Sequence, residues 1–425
     1  MRRFHVLLAG GVVLGVAGLM LGSGSGGSKP ALDIDGPSAS EVATFAALAD
    51  NIQIPDPTEK PPVAPAADLV DFDHIERVGD HYEAPLRGTN RRAILTLDPK
   101  LQTAAEKLLT EARAPKGGIV AMTPDGKILA LVGRRAAEDK GSLDGTFDWH
   151  LAVDAWAPAA SVFKLVTASA LVSVGVKPDD EVCFHGGIRS VLESNLRDDK
   201  RDNQCKDLTF GVAHSNNAIL GKLAYQHLEP AELSRFAHDL GFDRTLLGGS
   251  PMGSLQIPTT KDLDFAKAAA GFSGSQMSVV GGAVLAATFA NEGEQPTPYI
   301  IESIVPIGND APRATKRRAI SADIARTVRK MMIATCETGS AAKSFRRRAV
   351  HVAGKTGTLT RNEPVYMEHS WFVGYAPIEA PEIVISVVLG NPENWHLRGH
   401  EAAKRLLDKA IEHAATPSAK DRAHS

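Results

Sequence analysis

Apolar residues fall into three regimes along this chain. From Val6 to Leu21 they run almost unbroken behind Arg2 and Arg3. From Gly22 to about Asn90 periodicity is lost, and Gly, Ser, Pro and Ala dominate stretches such as "IPDPTEKPPVAPAADLV". Beyond Arg91 clear periods return. Asp98-Pro99 has the form of a helix start, and Leu101, Ala105, Leu108 and Leu109 place an apolar stripe on the helix that follows. Two short apolar runs, 119–123 and 128–132, flank Pro124-Asp125-Gly126-Lys127, which predicts a β-hairpin. "HSWFVGYAP" and "EIVISVVLG" predict a second strand pair. "GHEAAKRLLDKAIEHAA" predicts an amphipathic helix with Ala403, Leu406, Leu407, Ala410 and Ala414 inward.

Between about residues 157 and 290 the pattern is mostly helical. It includes a helix from Asp154 to Val174, with Pro158 in its first turn and Gly175 at its end. Strands at both ends with helices between predict an α+β fold, in which distant segments complete one antiparallel sheet flanked by helices.

The chain has 425 residues, 43% hydrophobic and 23% charged, the profile of a globular protein. A net charge of −3 lacks the basic face that nucleic acid requires, and 5% aromatics leaves little for base stacking, so no nucleic-acid partner is expected. The N-terminal run has the layout of a secretory signal, though it is short for a spanning helix. No clean small-x-small cleavage site follows, so an uncleaved membrane anchor is expected over a removed peptide. Arg2 and Arg3 would keep that end in the cytoplasm and place the remainder in the periplasm or extracytoplasmic space. The expected layout is an anchor or signal over 1–22, a linker over 23–90, a catalytic domain over 91–415 and a loose tail over 416–425.

Of three cysteines, Cys183 and Cys205 are a candidate disulfide in an exported chain, with two free buried thiols as the alternative. Cys183, His185 and Cys205 lack a fourth ligand for structural zinc, so neither metal nor cofactor is expected.

Candidate chemistry begins in "APAASVFKLVTASALVSVGV", where the single cation is Lys164, three residues after Ser161. On a helix the two share a face. Burial lowers a lysine's pKa, and a neutral amine can take the proton of a serine hydroxyl to make a nucleophile. The bland alternative is a lysine snorkelling to the surface, and Ser-x-x-Lys arises by chance about once in a chain this long. A second copy, Ser340 to Lys343, stands without an apolar setting and reads as the chance one. Two further signals add weight. Ser215-Asn216-Asn217 interrupts an apolar helical pattern, with an N-cap as its plainer reading. Lys355-Thr356-Gly357-Thr358 suits a strand edge: Gly357 admits a substrate backbone, the threonines offer hydroxyls and Lys355 supplies charge for a carboxylate. Its plainer reading is a glycine turn. Each tripeptide is weak alone; in this order, 54 and then 140 residues apart (161 to 215, 215 to 355), they are strong together.

With these motifs the chain resembles the penicillin-binding transpeptidase domain of the serine D,D-peptidase and β-lactamase superfamily. "LTLDPKLQTAAEKLL", "GGIVAMTPDGKILALVG", "GSQMSVVGGAVLAATFANEG" and "SWFVGYAP" resemble its flanking segments, over about residues 91–413. The resemblance implies a sheet with an all-helical subdomain and the active site at their junction. It implies that Ser161 is acylated, that Lys164 accepts its proton, and that Ser215 and Asn217 complete the proton path and hold the substrate amide. Lys355 would support Ser215, Thr356 and Thr358 would grip the terminal carboxylate beside Gly357, and the amides of Ser161 and Thr358 would form the oxyanion hole. Expected partners are peptidoglycan stem peptides ending in D-Ala-D-Ala, β-lactam antibiotics, the cytoplasmic membrane and a cell-wall synthesis complex. The chain departs from the pattern in Ala159-Ala160, where Pro-Gly is usual, and in Leu165 after the lysine. A glycosyltransferase module is not expected in residues 1–90.

Rival readings share the serine chemistry. A class A β-lactamase needs a Glu-x-x-Leu-Asn stretch, for which "LEPAELSRF" offers only Glu229 and Glu232. A D,D-carboxypeptidase or endopeptidase differs only in what accepts the acyl group. A β-lactam or muropeptide sensor would normally carry a longer cytoplasmic segment. His214 beside Ser215 is expected to be structural, and Arg346-Arg347-Arg348 a solvated loop.

Overall fold

A computed structural model of the chain describes residues 69–187, 189–306, 314–346, 348–362 and 364–414. The expected anchor (1–22), most of the expected linker and the tail from 416 lie outside the described residues.

Strands β1 (Glu76–Val78), β2 (His81–Pro85) and β3 (Arg92–Leu95) lead to helix α1 (Pro99–Ala112). The hairpin β4 (Lys116–Met122) and β5 (Ile128–Ala136) follows, then β6 (Gly145–Phe147). Next come α2 (His150–Val153), β7 (Ala157–Pro158), α3 (Lys164–Ser173), β8 (Val182–Phe184) and β9 (Gln204–Lys206). Helices α4 (Leu208–Ala213), α5 (Asn217–His227) and α6 (Pro230–Asp239) continue the helical part. It ends with β10 (Gly253–Leu255), α7 (Leu263–Ala269), β11 (Ser275–Met277) and α8 (Val279–Ala290). The chain returns through β12 (Glu294–Pro296), β13 (Ile301–Val305), β14 (Lys316–Arg318), α9 (Ala322–Glu337) and α10 (Ala342–Phe345). It closes with β15 (Ala353–Arg361), β16 (Met367–Ala376), β17 (Ile383–Asn391) and α11 (Gly399–Ala414).

The main sheet has the order β15-β16-β17-β4-β5-β6, antiparallel throughout. It joins the two predicted strand pairs and sets β15 at one edge. Alternation decides its faces. Ile385, Val387 and Leu389 face a core with α1 and α11, while Val384 and Val388 face the other core, with α3, α5 and α8. Every residue of α8 is buried, as its unbroken apolar sequence requires.

Two expectations are corrected. Residues 69–90, assigned to the linker by composition, are folded: β1 pairs with β2, β2 with β3, and β3 with β13. The alternation in "HYEAP" buries Tyr82 and Ala84, a short signal hidden by Pro-rich surroundings. The helix expected from Asp154 to Val174 is broken in two. Ala157 and Pro158 pair with Met277 and Gln276 of β11, a 3₁₀ turn spans Ala160–Phe163, and the α-helix starts only at Lys164. Strand pairing and a left-handed Ala160 (φ 49°) prevent one continuous helix.

Candidate active site

Ser161 stands in the 3₁₀ turn that feeds α3, and the approach to it is fastened from several sides. Ala159 N–H donates to the Ser275 carbonyl at 3.1 Å. Trp371 of β16 donates its indole N–H to the Pro158 carbonyl at 2.8 Å. At the end of α7, Gly271 (φ +86°) lies so near that a Cβ there would fall 2.2 Å from the Ala160 carbonyl oxygen. Only glycine permits that approach.

Lys164 is fully buried, and its Nζ lies 2.8 Å from Ser161 Oγ, 2.7 Å from Asn217 Oδ1 and 2.6 Å from the Ala270 carbonyl. Burial pushes its pKa well below the ordinary lysine value, and the nearby Lys355 cation pushes the same way. Two of the neighbours, the Asn217 and Ala270 oxygens, are acceptors that occupy both protons of a neutral amine. In that neutral form the lone pair would be left for Ser161 Oγ, as a base beside a nucleophile requires. The sequence offered no sign of the Ala270 carbonyl, since it comes from the C-cap of α7, over a hundred residues away in the chain.

Ser215 lies between α4 and α5 with φ 58°, a left-handed conformation that turns the chain sharply. Asn216 is the N-cap of α5, accepting from Ile219 N–H at 3.1 Å. The plainer reading of the tripeptide therefore holds for its middle residue, while its outer two face the site. Lys355, also fully buried, donates to Ser215 Oγ at 3.0 Å and to the Thr356 carbonyl at 2.9 Å. Burial lowers its pKa to about 7, against a small upward pull from Cys336.

Lys355, Thr356, Gly357 and Thr358 lie on β15 at the sheet edge, packed against the Ser161 turn. Gly357 is tucked against Val162 and Trp371, and Thr358 is exposed. Ser340 also reaches this edge, its hydroxyl 2.6 Å from that of Thr356. Lys343 of the same second Ser-x-x-Lys is exposed.

Other candidates serve the scaffold. His214 is exposed and stacks on Phe210, ring centroids 4.1 Å apart. Glu229 and Glu232 form the capping box of α6. Cys183 and Cys205 are joined as a disulfide across β8 and β9, so neither thiol is available to a metal. Arg348 pairs with Asp408 of α11, Arg346 is exposed and Arg347 lies outside the described residues. Among the described residues no helix is long and apolar enough to cross a membrane.

Fold and site together define a serine–lysine centre at the junction of an antiparallel sheet and a helical subdomain. The family model described as penicillin binding protein transpeptidase domain matches residues 117–412, more than half of the chain. The chain belongs to that family. It is 26% identical to the peptidoglycan D,D-transpeptidase PbpA of Mycolicibacterium smegmatis, covering 69% of this chain and 66% of that protein. It is 29% identical to the stage V sporulation protein D of Bacillus subtilis, covering 74% and 51%. The chain thus spans half to just under two thirds of these relatives. Among solved structures, the D,D-transpeptidase domain of a peptidoglycan glycosyltransferase from Eggerthella lenta superposes with a TM-score of 0.64 at 24% identity, covering 84% of this chain and 93% of that one. Penicillin-binding protein A from M. tuberculosis, as its imipenem acyl-enzyme complex, gives 0.59 at 20% identity, covering 75% and 79%. These likenesses establish the α+β fold.

Proposed function

We propose that this chain is a membrane-anchored D,D-transpeptidase that cross-links peptidoglycan stem peptides through a serine acyl-enzyme and is acylated by penicillin at Ser161. The observation that carries the reading is the buried Lys164 amine, hydrogen-bonded to Asn217 and Ala270 and aimed at Ser161 Oγ. Lys164 takes the Ser161 proton as Oγ attacks the penultimate D-Ala carbonyl. The amides of Ser161 and Thr358 receive the oxyanion. The proton passes through Ser215, held by Lys355, to the departing D-Ala amine. An amine of a second stem peptide then attacks the acyl carbon and displaces Ser161 Oγ, which regains its proton. Thr356 and Thr358 bind the donor's terminal carboxylate beside Gly357. The capping roles of Glu229 and Glu232 leave neither as a hydrolytic base, which favours this reading over a class A β-lactamase. The N-terminal segment 1–22 anchors the catalytic domain on the periplasmic side of the cytoplasmic membrane, within reach of a cell-wall synthesis complex.

The test is intact-mass analysis after incubation with a fluorescent penicillin. One adduct is expected on the wild type and none on Ser161→Ala. Labelling that survives in the alanine variant overturns the assignment.

A further inference from the structure

Of the sequence motifs, the second Ser-x-x-Lys is left unused by this mechanism, yet its serine stands at the site. Ser340 Oγ is 2.6 Å from Thr356 Oγ1. The turn that carries it is fixed against the helical side. Ser340 N–H donates to the Ala213 carbonyl at 2.9 Å, two residues before Ser215. A Cβ on Gly339 would fall 2.2 Å from that same oxygen, so the turn closes on α4 only with glycine there. Ser340 therefore ties the Lys-Thr-Gly strand to the Ser215 turn through one hydroxyl and one amide. Ser340 is itself exposed, whereas Thr356 is 9% exposed.

A threonine hydroxyl has one proton, which swings to whichever acceptor its neighbours leave open. When Ser340 donates to Thr356, the Thr356 proton is directed away from Ser340. The open side of the strand edge is where a carboxylate would lie. We infer that Ser340 is a positioning residue for carboxylate recognition: it holds the Thr356 hydroxyl as a donor to the terminal carboxylate of the peptide or β-lactam. The inference rests on the acyl-enzyme reading above. A donor already oriented toward an ionised acceptor makes the stronger kind of hydrogen bond without first ordering its rotor.

The test compares acylation of wild type, Ser340→Ala and Ser340→Thr by benzylpenicillin and by its methyl ester, followed by intact mass. With benzylpenicillin, Ser340→Ala should acylate about 5- to 10-fold less efficiently, the scale of one oriented hydrogen bond. The loss should fall on the apparent binding constant rather than the limiting rate, and Ser340→Thr should restore it. With the ester, Ser340→Ala and wild type should acylate alike. In a Thr356→Val background, Ser340→Ala should add no further loss. Equal losses with both ligands, or none with benzylpenicillin, overturn the inference. Failure of the wild type to acylate at all overturns the acyl-enzyme reading, and this inference with it, independently of Ser340.

Discussion

Ala160 occupies a left-handed conformation (φ 49°) directly before Ser161. A side chain there costs on the order of 1 kcal/mol, which glycine would not incur. The family resemblance places a glycine at this position, and the backbone supplies the physical reason. Ala160→Gly should raise the melting temperature by about 2 °C with acylation retained, as thermal melts would show; an unchanged or lower value would contradict the strain. In the proposed mechanism Lys164 must be a base that can lose its proton. Lys164→Arg keeps a cation that does not deprotonate, so Ser161 acylation should fall about 100-fold or more, measured as the rate of penicillin adduct formation. Lys355 carries a stability signature. Its pKa is about 7 in the folded protein and ordinary in the unfolded chain, so above pH 7 the unfolded chain binds the extra proton. Stability should therefore rise with pH through this window, by up to about 1.4 kcal/mol per unit from this group. Denaturant titrations at pH 7 and 8.5 should show a smaller rise in Lys355→Met than in wild type; equal rises would refute the shift.

At the scale of elements, the hairpin β4–β5, strands β16 and β17, and helices α1 and α11 follow directly from their residue patterns. Each has a long, regular period, and local burial preference suffices to place it. The turn before α3 did not, because its Ala and Val residues suit a helix and only pairing with β11 pulls Ala157 and Pro158 into a strand. Helix α5 joins stability to chemistry: its N-cap is Asn216 and its first residue is Asn217. Asn216→Ala should cost about 1 kcal/mol in denaturant unfolding and slow acylation, because the fraying first turn carries the Lys164 partner. Lost stability with unchanged acylation would separate the cap from the site.

Across the whole molecule, the site forms where segments far apart in the chain converge. Ser161, Ser215 and Lys355 meet because β15 is the sheet edge that faces the helical part. The Cys183–Cys205 link closes a loop whose ends are 22 residues apart, just before α4 and the Ser215 turn. Reduction should lower stability by about 3 kcal/mol, read as the shift in denaturant midpoint with and without reductant. No shift would show that the loop contributes little.

The residues that meet at the candidate site were legible in the sequence alone, because the proposed nucleophile, its base and a carboxylate cradle require particular side chains in an order that chance seldom supplies. So were helices α1 and α11 and strands β4, β5, β16 and β17, whose periodicity is a local property. Tertiary structure alone decided how deeply Lys164 and Lys355 are buried. It also brought the Ala270 carbonyl to the amine, Ser340 to Thr356, and residues 69–90 into a sheet. These outcomes depend on contacts between segments remote in sequence, and no local pattern of hydrophobic and polar residues encodes which remote surface a segment will meet.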